Sequence, residues 1–235
     1  MTSSKERSPA EIAGLKDFFS QLKTIDREAK AAVEIAKPAL VRLATELVGR
    51  TDAQAQLARQ LFLSLYNGGF TKVELACLPL LPWPWQRDFA DVLLAFNGPG
   101  FSDKDILKAF EAAGDAGGAW FFTEPAPIGN IAVSEDDGIE ADNAGTAARE
   151  AMRLLARAIA CQYSGQPFAI RKLLRDILEE RECAPGIQIA GTDWKLRRFF
   201  CTMLRGFGRG DFEPEFIIEA FYDMAGDAGV AWLNE

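Results

Sequence analysis

The phrase GDAGGAWF at residues 114–121 returns as GDAGVAWL at residues 226–233. Slid against itself at an offset of 111, the chain also aligns Trp83 with Trp194, Arg87 with Arg198, Phe89 with Phe200, Leu93 with Leu204 and Phe96 with Phe207. Phe101, Ile106, Ala109 and Phe110 extend the match to Phe212, Ile217, Ala220 and Phe221. Nine of the 28 positions from 83 to 110 are identical, where chance gives about two. The pattern predicts a tandem duplication of a helical unit, with repeat 1 at 38–121 and repeat 2 at 143–235. A helical arm at 1–37 precedes them, and an acidic linker at 122–142 joins them.

Each unit reads as helices. Phe89, Leu93 and Phe96, like Phe200, Leu204 and Phe207, recur at steps of four and three, one face of a helix. Ser102 followed by Asp105 has the spacing of a capping box, and Pro214 after Glu213 marks an equivalent start. Further helices are expected at 26–36, 38–48, 53–66, 146–162 and 167–181. Near the N-terminus, Ser8-Pro9-Ala10-Glu11 caps another, with Ile12, Leu15, Phe19 and Leu22 on one face. The expected class is all-α or nearly so, with room for one short β-hairpin in the linker around Gly129-Asn130.

The repeated phrase has a structural use. Gly114 and Gly226 close a helix in the left-handed region, which costs glycine no Cβ clash. Asp115 and Asp227 accept backbone N–H groups of the next turn, while Trp120 and Trp232 fold back as apolar anchors. The functional alternative pairs Asp115 with Asp227 as acid and base in a shared cleft. Arg87 and Arg198 stand four residues after Trp83 and Trp194, where a guanidinium can lie over the ring or tie Asp115 and Asp227 within each unit.

Composition removes several chemistries from view. The chain of 235 residues has no histidine, so the commonest neutral-pH base and metal ligand is missing. Its 4 cysteines, Cys77, Cys161, Cys183 and Cys201, form no C-x-x-C pair. No metal, cofactor or catalytic residue is assigned. The apolar run ACLPLLPWPW at 76–85 is too short to span a bilayer and is broken by prolines. No export signal is visible at the N-terminus, so the expected location is the cytoplasm, away from membranes. Net charge is −8, and the segment 122–142 holds 6 acidic residues and no basic one. That balance makes free DNA a poor partner.

Differences between the units point to binding surfaces. Trp85 and Arg87 in repeat 1, the linker acids Glu135, Asp136 and Asp137, and the cluster Lys195, Arg197, Arg198, Arg205 and Arg209 in repeat 2 are the candidate contact residues. Arg171, Lys172 and Arg175 add a second basic face.

Residues 39–94, on the strings ALVRLA, ARQLFLSLYNGGF and DFADVLLAF, are similar to short bacterial proteins found on integrative and conjugative elements. RLLARA and SGQPFAIRKLL in the second unit resemble them too. The resemblance implies a mobile-element accessory protein and brings no catalytic residues with it.

The leading expectation is a non-enzymatic module that binds another protein or a ribonucleoprotein complex. Its sharpest form is a mobile-element inhibitor of a host defence complex of the CRISPR type. The alternatives are a nucleic-acid or ribonucleoprotein binder using the basic faces of repeat 2, and an acid–base enzyme using Asp115 and Asp227. Pairing into a homodimer stays open.

Overall fold

The computed structural model describes residues 9–123, 131, 138–160 and 166–234. Among the described residues the chain is all-α apart from two dipeptide strands. It opens with a 39-residue helix, α1 (Pro9–Leu47), in place of the separate helices expected at the N-terminus, at 26–36 and at 38–48. Pro38 lies inside it, and an interior proline costs about 3 kcal/mol. The break does not form because Ala29, Val33, Ala36, Leu40, Leu43 and Leu47 bury one continuous stripe across it. Burying a leucine or valine contributes about 1.5–3 kcal/mol, so the stripe outweighs the lost bond.

Five shorter helices complete the first part of the chain and begin the second: α2 (Ala53–Tyr66), α3 (Trp83–Ala95), α4 (Asp103–Ala112), α5 (Gly138–Ile159) and α6 (Gln166–Leu178). α7 (Pro185–Ala190), α8 (Trp194–Arg205), α9 (Glu215–Ala225) and the single turn α10 (Asp227–Val230) follow. The side chain of Asp52 caps α2 by accepting from the Ala55 amide, and that of Asp193 caps α8 by accepting from Leu196. The capping box is present at α4, where Asp105 accepts from the Ser102 amide at 2.8 Å. α5 starts at residue 138, inside the segment read as linker, so Glu140 and Asp142 are helical. The expected hairpin around Gly129-Asn130, the acids Glu135, Asp136 and Asp137, Ser8 and Cys161 lie outside the described residues.

The helices pack in the order α1–α3–α8–α5, with α3 and α8 against each other at the centre. α4 sits against α1 and α2, while α9 sits against α5. The segment Leu75–Leu80, a 3-10 helix, reaches α6, and α7 reaches α2. Between these crossings β1 (Val73–Glu74) pairs antiparallel with β2 (Glu182–Cys183) in the register Val73 to Cys183. One apolar core runs through both halves.

The central seam is tied by buried polar groups at positions related by the offset of 111. Gln86 on α3 donates through Nε2 to the carbonyls of Leu204 and Phe207, both at 2.8 Å. Arg197 on α8 donates to the carbonyl of Phe96 at 2.9 Å. Phe96 is the C-cap of α3 and Phe207 follows the C-cap of α8, where carbonyls lack intrahelical partners. Each half therefore caps the other. Arg209 closes the network by donating to Gln86 Oε1 at 3.0 Å and to the carbonyls of Pro79 and Leu81.

α5 and α8 meet at glycines. A Cβ on Gly145 would lie 2.1 Å from the Arg209 carbonyl oxygen, and one on Gly206 would lie 2.1 Å from that of Ala144. Gly206→Ala should lower unfolding stability by about 1–3 kcal/mol, whereas Gly191→Ala, which meets nothing within 4 Å, should stay within about 0.5 kcal/mol of the parent in denaturant titrations.

Candidate functional site

A solvent-open groove follows the seam between the two halves, in adjoining lobes of about 290 and 460 Å³. Ile35, Asp91, Thr202 and Arg205 border both lobes. The smaller lobe adds Glu28, Ala31 and Ala32 from α1 with Leu94, Trp194 and Arg198. The larger adds Glu140, Asn143, Ala144 and Ala147 from α5 with Trp83 and Arg87. Trp83 and Arg87 thus stand in one lobe where Trp194 and Arg198 stand in the other. Glu28 and Glu140 occupy matching places at an offset of 112.

This explains the repeated tryptophan and arginine. Trp194 Nε1 donates to Glu28 Oε2 at 2.8 Å, and Arg198 donates to the same oxygen at 3.2 Å, so α8 is fastened to α1. In the other lobe Arg87 lies 5.1 Å from the centre of the Trp83 ring and pairs with Asp88 at 3.0 Å. Arg42 of α1 joins that carboxylate at 2.9 Å. The expected ties from Arg87 to Asp115 and from Arg198 to Asp227 do not form, because nearer carboxylates take both guanidiniums.

At the centre Arg205 forms an ion pair with Asp91. Burial pushes the Asp91 carboxyl above its usual range, against the opposing pull of Arg205. A carboxyl raised in this way favours the fold below its unfolded pKa and loses that contribution as pH rises through the folded value.

The other candidates lie apart from the groove. Trp85 is 5% exposed and donates to Glu46, with Arg50 over its ring at 4.9 Å, so it belongs to the core. Arg197 and Arg209 are buried in the seam rather than on a basic surface, and Arg171 is buried with its guanidinium on the carbonyls of Ile159 and Ala160. Lys195 remains exposed beside Phe199.

Asp115 is buried, with Oδ1 accepting from Trp120 N at 2.6 Å and Oδ2 from Phe121 N at 2.8 Å. Asp227 is exposed at the start of α10. Gly114 and Gly226 have φ of 104° and 56°, as the repeated phrase requires. The tucked ring differs between halves. Trp232 is 1% exposed against Phe221, while in the first half Phe121 stacks on Phe110 at 4.6 Å and Trp120 stays half-buried.

Arg59, overlooked in the sequence, is 2% exposed and donates to the Trp120 carbonyl at 2.8 Å. At an offset of 112 it matches buried Arg171, a signal the offset of 111 hides. Burial pushes the thiols up, Cys77 to about 11 and both Cys183 and Cys201 to about 12, which leaves them poor nucleophiles. Among the described residues no group of three or more Cys, Asp or Glu is placed to hold a metal ion, and no helix is long and apolar enough to cross a membrane.

Arg205→Met should destabilise the fold by about 3 kcal/mol at pH 7 by leaving Asp91 buried and uncompensated. The loss should shrink as the pH falls toward 4 and Asp91 takes up a proton. Asp91→Leu combined with Arg205→Met should recover most of it. Denaturant titrations at the two pH values check the sign. No family profile, curated protein or solved structure matches the chain.

Proposed function

We propose that this protein is a non-enzymatic module that binds other proteins through the N-terminal part of α1 and the groove it leads into. One observation carries the reading. Phe18, Phe19, Leu22 and Ile25 are 54%, 57%, 43% and 42% exposed on one face of α1, a spacing that puts four large apolar side chains in a row. The stripe is covered by the body from Ala29 onward and bare before it, and Ile35, 53% exposed on the neighbouring face of α1, lines the groove. An apolar helical face with anchors at such steps is the arrangement used in helix-in-groove recognition.

The rival readings have less to work with. A nucleic-acid surface on the second half would need Arg197, Arg198 and Arg205 facing phosphates, whereas these side chains are engaged with Phe96, Glu28 and Asp91. An acid–base pair would need a free Asp115, whose two oxygens are occupied by backbone amides. The resemblance to conjugative-element proteins makes a host ribonucleoprotein defence complex the first partner class to try, with the module acting as its inhibitor.

The test is capture of partner proteins under nuclease treatment by the parent chain and by a Phe18→Ser, Phe19→Ser, Leu22→Ser variant. These side chains are exposed, so the variant should unfold within about 0.5 kcal/mol of the parent. A stoichiometric protein held by the parent and lost at least about tenfold by the variant is the expected result. Equal retention by both chains would sink the reading.

A further inference from the structure

A second uncovered surface has the chemistry that the α1 arm lacks a partner for. Residues 210–235 contain 7 acidic residues and no lysine or arginine. Where α9 begins, a groove of about 420 Å³ opens over Ile177, Leu178 and Ile218, with Glu180, Glu213 and Glu215 exposed around it. The same face of α9 carries Glu219, Tyr222 and Asp223 beyond the groove, all exposed, with Ile218 and Tyr222 one turn apart. Asp211 pairs with Arg149 at 3.7 Å, while Glu180, Glu213, Glu215, Glu219 and Asp223 take part in no ion pair among the described residues.

The fold does not dictate that face. At the offset of 111, α4 keeps Ile106, Ala109 and Phe110 where α9 has Ile217, Ala220 and Phe221. The outward positions are reversed in charge, with Lys104 and Lys108 on α4 standing where α9 has Glu215 and Glu219. Core residues are shared and the outer charges are not, so the acidic face serves something other than packing.

The α1 arm is its complement. Lys16 and Lys23, seven residues apart, flank one side of the bare stripe of Phe19 and Leu22, and both are exposed without a partner among the described residues. Lys30 continues the row and pairs with Asp26 at 2.7 Å. Helical rise places Lys16 and Lys23 about 10 Å apart, close to the roughly 12 Å between Glu215 and Asp223. Apolar side chains beside lysines on one surface thus meet apolar side chains beside carboxylates on the other.

We propose that the chain associates with a second copy of itself, the α1 arm of one molecule lying in the acidic groove and along α9 of the next. This rests on the reading of the arm as a docking helix and names its occupant. The contact joins two different surfaces, so it is heterologous, and it repeats from copy to copy unless the geometry closes it.

Light scattering after size exclusion, from about 1 to 200 μM full-length chain, reads the outcome, with the concentration series bracketing an ordinary weak interface. The expected result is a mass that rises above the monomer with concentration and falls back in about 0.5 M salt, as a charge-assisted contact should. Lys16→Glu with Lys23→Glu, and separately Glu213→Lys with Glu215→Lys, should each weaken association about tenfold. All four changes touch exposed side chains, and unchanged helical circular dichroism confirms the fold. Mixing the two variants should restore a complex, because the intact arm of one meets the intact groove of the other. The four changes combined in one chain should restore self-association. Lys104→Glu with Lys108→Glu should have no effect.

A monomer at every concentration overturns the proposal, as does an assembly indifferent to both charge reversals, or variants that fail to complement on mixing. A monomeric chain whose arm still captures a different protein removes the second copy as occupant and keeps the docking helix. A monomeric chain whose arm captures nothing removes both.

Discussion

The structure depends on a trade of helix ends across one seam. Just past α3 and α8 lie Phe96 and Phe207, whose carbonyls are each satisfied by a buried bond from a side chain of the other half: Arg197 for Phe96, Gln86 for Phe207. A buried carbonyl without a donor costs on the order of 1–3 kcal/mol, so neither half is complete alone. The central order of α1, α3, α8 and α5 follows, because α3 and α8 are held face to face and their outer sides are left for α1 and α5. The groove follows as well, being the gap left between α1 and α5 over the α3–α8 pair.

Much of this was legible where residue identity is kept. The phenylalanine and leucine steps announced α3 and α8, and the Ser102–Asp105 spacing announced the box at α4. Gln86 and Arg197 were not legible, because an amide and a guanidinium do the same work at equivalent positions and share no letter. Nor was Glu28, the acceptor for Trp194 and Arg198, since it lies 166 residues from that tryptophan and no local pattern links them. Pro38 misled for a simpler reason. Propensity weighs a proline by its missing N–H, while the fold weighs the buried stripe on either side of it.

Charge was the least legible property. The arginines of the second half looked like a basic surface because sequence shows sign without depth. Arg197 and Arg209 are 7% and 6% exposed, and carbonyls take up most of their donors. Conversely, the balance of the second half hides a basic stretch followed by an acidic one, and only the placement of α9 shows that its carboxylates share a face. The same polar residue type therefore serves as mortar inside and as address outside, and burial decides which.

The seam also sets a timetable. Gln86 finds its carbonyls 118 and 121 residues further along the chain. At about 5–20 residues per second, a ribosome needs roughly 6–24 s to make that stretch. Throughout that interval the first half exists with the inner side of α3 bare and its terminal carbonyl uncapped. The nascent first half therefore presents that bare surface until its counterpart is made, so the order of synthesis exposes apolar area that the finished fold conceals.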